Sequence, residues 1–100
     1  MSIVLIMSLY LVSADFPICT ANRNQYYPRP AFENGQYYVF WADYRNYPID
    51  TTYCIYGARI ALDGTVLDPD GKVLFKRSAA YRPATAFDGS NFLVVFRDGC

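Results

Sequence analysis

The chain has 100 residues, enough for one small domain, and 53% of them are hydrophobic, which excludes a disordered polar chain. Nine Lys+Arg balance nine Asp+Glu, so there is no basic footprint for nucleic acid or anionic lipid. Histidine is absent, which removes Ser-His-Asp and Cys-His nucleophile pairs and every metal site with histidine ligands.

In chain order, residues 1–14 come first and stand apart. They are apolar except for Ser2, Ser8 and Ser13, and no charged side chain precedes Asp15. Ile3 to Val12 has the length of a signal-peptide core, and Val12-Ser13-Ala14 offers small residues for cleavage before Asp15. No Lys or Arg precedes the core, unlike an ordinary leader. A spanning helix needs roughly 20 apolar residues, so the run is too short to form a stable membrane span. Export is expected, to a secreted or cell-surface location, with residues 15–100 as the mature chain.

The mature chain reads as all-β. Asn34-Gly35, Asp63-Gly64, Asp70-Gly71, Asp88-Gly89 and Asp98-Gly99 are tight-turn pairs, because both residue types tolerate positive φ. Aromatic and β-branched runs lie between them, and none has the helical spacing and caps of a helix. The predicted strands are Pro30 to Glu33, Gln36 to Ala42, Tyr53 to Ala61 and Thr65 to Leu67, with Lys72 to Lys76 as a link or extra edge. Phe92 to Phe96 follows in a second copy. In 36–42 one face presents Tyr37, Val39 and Trp41, and the other Tyr38, Phe40 and Ala42. Two apolar faces predict a sheet covered on both sides.

An internal repeat organises these strands. Residues 26–43 align without a gap to 81–98 at an offset of 55, with identities at Tyr26/Tyr81, Pro28/Pro83, Ala31/Ala86, Phe32/Phe87, Val39/Val94 and Asp43/Asp98. The same offset lays Ile18 on Val73. A period near 55 with about four antiparallel strands suits a β-propeller blade. The expected organisation is a signal peptide at 1–14, the tail of a preceding blade at 15–25, a complete blade at 26–80 and the first part of the next blade at 81–100. That amounts to about one and a half blades of an incomplete propeller.

Three motifs recur in a known setting: Ala31-Phe32-Glu33-Asn34-Gly35 leading to Trp41-Ala42-Asp43-Tyr44-Arg45, then Ile55-Tyr56-Gly57-Ala58-Arg59, then Asp63-Gly64-Thr65-Val66-Leu67-Asp68. With the restart at Tyr81, this pattern resembles the repeats of large secreted bacterial and archaeal propeller-like proteins. The resemblance covers nearly all of residues 26–98 and implies a secreted propeller without implying a reaction. The second unit departs from the pattern at Arg97-Asp98-Gly99-Cys100, which suggests a truncated gene or fragment.

Candidate chemistry is sparse. Asp43 and Asp98 end equivalent strands, with Arg45 and Asp50 near Asp43, and glycosidases use such paired carboxylates. The preferred reading is structural: a strand-end Asp that accepts backbone N–H bonds and pairs loosely with arginine. Asp68-Pro69-Asp70-Gly71 fails the calcium-loop spacing, since Gly71 falls at the fourth position and Lys72 at the fifth, so a proline turn is expected. Cys19, Cys54 and Cys100 lack metal-site spacing. One disulfide, Cys19–Cys54, is compatible with export, and two small buried thiols are the alternative. Tyr44, Arg45, Asn46 and Tyr47 form the best binding surface, an exposed connection at 44–52 with ring faces flanked by Arg and Asn.

The expected function is a non-enzymatic binding or scaffold segment of an exported propeller, with no cofactor or metal. Its partner would be a surface polysaccharide or a cell-envelope protein, not nucleic acid. The alternatives are a fragment of a glycosidase-like propeller hydrolase with its catalytic residues elsewhere, and a purely structural repeat. Uncovered blade faces and edges predict self-association of the isolated chain.

Overall fold

A computed structural model describes residues 16–46, 53–77 and 80–98. The expected leader at 1–14, Asp15, the stretch 47–52 with Tyr47 and Asp50, and Cys100 lie outside the described residues, as does the Asp98 side chain. Among the described residues the chain is all-β and antiparallel. Its strands are β1 (Gln25–Glu33), β2 (Gln36–Asp43), β3 (Tyr53–Ile60), β4 (Lys72–Arg77), β5 (Ala80–Phe87) and β6 (Phe92–Asp98). Strands β1 to β4 form one sheet in sequence order, and β5 and β6 form a second. No described helix is long and apolar enough to cross a membrane.

Three strand assignments differ from the sequence reading. Lys72 to Lys76, expected as a link or extra edge, lies in the fourth strand, Lys72–Arg77, which pairs with β3 from Tyr53↔Arg77 to Gly57↔Lys72. Thr65 to Leu67 makes only an isolated bridge, Ile60↔Val66. It is caught between two turns. Ala61 N–H donates to the Thr65 carbonyl at 2.8 Å, and Gly71 N–H closes the Asp68-Pro69-Asp70-Gly71 turn on the Asp68 carbonyl at 2.8 Å. Too few residues remain between them for a ladder. Strand β1, for its part, starts at Gln25 rather than Pro30. The prolines are accommodated because β1 is an edge strand with a register shift between Tyr26 and Arg29, where Tyr27 adopts φ 57°.

The sequence repeat recurs in the backbone. Strands β5 and β6 pair as β1 and β2 do at the same offset: Ala80↔Asp98 matches Gln25↔Asp43, and Phe87↔Phe92 matches Phe32↔Tyr37. The second register shift, Tyr81/Ala84, and the second left-handed residue, Arg82 at φ 56°, sit 55 residues after the first pair. The aromatic pairs repeat too. Phe32 and Tyr37 lie 4.7 Å apart at 50°, and Phe87 and Phe92 lie 4.8 Å apart at 53°.

The two sheets stack like over like. Asn34 Nδ2 reaches the carbonyl of its counterpart Gly89 at 3.5 Å, and the Arg82 guanidinium lies 4.7 Å from the ring centroid of its counterpart Tyr27. Between the sheets, Ala42, Ile55 and Ala80 are buried with Val94 and Phe96 packed against them. Phe92 meets Tyr38 at 4.6 Å and Phe40 at 5.2 Å. On the far face of the first sheet, Trp41, Cys54, Tyr56 and Ala58 form a second core, flanked by Ile18, Cys19 and Val39. Burial of these apolar side chains is the main favourable contribution to the fold.

Candidate functional site

Alternation along β2 places Trp41 and Asp43 on one face, opposite Tyr56 and Cys54 of β3. Asp43 is only 1% exposed, yet its carboxylate is fully served. The Trp41 indole N–H donates to Oδ2 at 2.8 Å. Arg45 donates its backbone N–H and Nε to Oδ1 at 2.9 and 2.8 Å, and Nη2 to Oδ2 at 2.8 Å. This two-pronged contact is closer and more buried than the loose pairing expected for Asp43.

Arg45 then reaches beyond Asp43. Its Nη2 donates to the Asp70 carbonyl at 2.7 Å and lies 3.4 Å from Cys19 Sγ, while the guanidinium sits 3.9 Å from the Tyr56 ring centroid. The Asp70 N–H in turn donates to the Ile18 carbonyl, and the Thr20 N–H donates to Asp70 Oδ1 at 2.8 Å. The Trp-x-Asp-x-Arg motif is therefore a clamp that joins the end of β2, the 68–71 turn and the segment before β1. A carboxylate with these donors already placed has little acceptor capacity left for a proton-transfer role.

A second ion cluster closes the other end of β3. The Asp68 carboxylate accepts the Arg59 backbone N–H and Nε at 2.9 Å each and Nη2 at 3.0 Å, with Lys72 Nζ at 3.4 Å. Asp68 thus holds its proline turn against β3 as a turn residue. Among the described residues no group of three or more His, Cys, Asp or Glu side chains could hold a metal ion.

Both carboxylates titrate low. Burial would push Asp43 up, but the hydrogen bonds from Arg45 and Trp41 outweigh it and hold the carboxyl below its ordinary value. The Arg59 side chain, against a smaller effect of burial, holds Asp68 well below the carboxylate range. With folded-state values below the unfolded value of about 3.9, the unfolded chain binds more protons in acid. Stability is therefore fully present above about pH 4–5 and is lost as pH falls through the folded-state values. Urea midpoints should be level between pH 7 and pH 5 and drop steeply below pH 4, with a smaller drop in Asp68→Asn. A midpoint that rises below pH 4 would contradict this assignment.

The expected binding residues are only partly brought together. Tyr44, Arg45 and Asn46 are half-buried, where an exposed connection was expected. The Tyr44 ring meets Tyr53 edge-on at 4.0 Å and Tyr26 at 5.9 Å. Arg45 is turned inward in the clamp, and Asn46 Nδ2 lies 4.0 Å from Cys54 Sγ. Cys54 belongs to the Trp41 core and Cys19 packs against it, and no disulfide joins the two.

Sequence reasoning missed a cleft of about 360 Å³ between the sheets. Tyr38, Phe40, Gly57, Leu74, Phe92 and Val94 line it, and Arg59, Asp68 and Lys72 also border it. Gly57 was the available signal, since glycine inside an apolar strand marks a close approach. A Cβ there would meet Leu74 Cδ1 and Phe40 Cδ1 at 3.0 Å. The cleft offers ring faces beside charged groups, a surface suited to binding an amphipathic group. Comparison with family models, curated proteins and solved structures finds no match to this chain.

Proposed function

We propose that this chain is a non-enzymatic binding or scaffold segment of an exported propeller protein, secreted or held at the cell surface. On this reading residues 15–25 end one blade, 26–80 make a complete blade and 81–100 begin the next. The observation that carries it is the stack of equivalent units, with strand register, bulge and left-handed residue all recurring at an offset of 55. Repetition of that kind builds extended surfaces for recognition. The roles of Asp43 and Asp68 favour it further, because each carboxylate is committed to holding a turn.

The partner class is a surface polysaccharide or a cell-envelope protein, met by Asn46, Tyr47 and the cleft. Expression in a secreting host tests export: the soluble product should begin at Asp15, and retention of Met1 on a cytosolic product would overturn it. Binding is tested on purified envelope polysaccharide, where Tyr47→Ala should weaken retention several-fold at an unchanged unfolding midpoint. Unchanged retention, or none by the parent protein, removes polysaccharide as the ligand of this loop.

A further inference from the structure

The contact between the two sheets is not symmetric. The first unit presents Tyr38 and Phe40, and the second covers them with the opposite face of its own sheet, the one carrying Phe92 and Val94. Such a contact joins two different surfaces of equivalent units and leaves each surface unused once, at opposite ends of the stack.

The second unit's face is open, and the first unit's is open at its Phe32/Tyr37 end, Trp41 and Val39 of that face being packed with Ile18 and Cys19. The counterparts of Tyr38 and Phe40 are Leu93 and Val95, which are 64% and 51% exposed. Their β5 neighbours on that face, Ala86 and Ala84, are exposed as well and keep it flat and apolar. At the other end, the counterparts of Phe87 and Phe92 are Phe32 and Tyr37, which are 51% and 46% exposed. Their rings already hold the spacing and tilt that Phe87 and Phe92 hold.

We infer that the Leu93/Val95 face of one copy seats the exposed Phe32/Tyr37 end of a second copy, so that chains join head to tail through the equivalent of the Phe92 contact between the two units. The occupant is identified by the internal contact itself, which seats Phe92, the counterpart of Tyr37, against Tyr38 and Phe40. No other class of partner is needed to explain two exposed apolar surfaces that match at the two ends. The inference rests on the equivalence of the units, not on export or on any ligand. A heterologous contact leaves one donor and one acceptor face free at each stage, so assembly continues beyond a dimer.

Sedimentation of the full chain under reducing conditions tests this. The parent protein should grow past two copies with concentration. Phe32→Lys/Tyr37→Lys and Leu93→Lys/Val95→Lys should each be monomeric alone, with association weakened at least a hundredfold. Mixed in equal amounts, the two variants should form a complex that stops at two chains, because each retains one complementary face. A monomeric parent at every concentration would overturn the inference. So would a variant that dimerises alone, or a mixture of folded variants that stays monomeric. Ala86→Arg substitutes for Leu93→Lys/Val95→Lys if that variant fails to fold, with the same expected outcomes.

Discussion

Asp43→Ala is expected to lower the free energy of unfolding by about 3–5 kcal/mol, the cost of removing one partner from a buried ion pair. The substitution deletes the acceptor for the Trp41 indole and for three donors of Arg45. It leaves a guanidinium over Tyr56 with the Asp70 carbonyl as its main remaining oxygen partner. Since small domains have only about 5–15 kcal/mol in total, the loss should be plain in urea unfolding. Asp43→Asn keeps an acceptor and should cost less. Adding Arg45→Met to Asp43→Ala should recover part of the loss, because the stranded charge goes with it. A loss below about 1 kcal/mol for Asp43→Ala would mean that the pair is effectively solvated, as surface pairs are.

Gly71→Ala should be nearly as damaging, for a different reason. Gly71 has φ 77°, and a Cβ there would fall 2.5 Å from Trp41 Cη2 and 2.6 Å from Cζ2. The left-handed backbone costs an L-residue about 1–2 kcal/mol. Forcing Trp41 out of its packed position adds about 1–3 kcal/mol. Trp41 has little freedom to give way, being 3% exposed and stacked on Tyr56. Gly35→Ala provides the comparison. Gly35 has φ 74° with nothing within 4 Å of a Cβ, so only the backbone part applies. The difference between the two urea-unfolding losses measures the crowding against Trp41 and, at 3.2 Å, the Gly57 carbonyl, and equal losses would show that both give way freely.

The repeat, the two apolar faces and the turn pairs among the described residues were legible in the sequence because each is a local or periodic property. Tyr37, Val39 and Trp41 alternate with Tyr38, Phe40 and Ala42 whatever the sheets do. The preference of Asn34-Gly35 for a turn belongs to those residues alone, and Asn34 and Gly35 do adopt positive φ. The fourth strand was not legible. Thr65 to Leu67 and Lys72 to Lys76 have similar local character, and only pairing with β3 separates a bridge from a ladder. The direction of Arg45 was likewise open. Its neighbours Tyr44, Asn46 and Tyr47 suggested an outward-facing surface, and the inward turn depends on the Asp70 carbonyl, 25 residues away.

The sequence by itself determined the β class, the offset of 55 between the two strand pairs and the residues of the Trp-x-Asp-x-Arg motif. Tertiary structure decided which carboxylate meets which arginine beyond nearest neighbours, where the cleft lies, and which face of each unit is covered. The physical reason is the range of the interactions. Backbone preference and side-chain alternation act within a few residues, whereas burial and hydrogen-bond satisfaction depend on which distant segment arrives to exclude water.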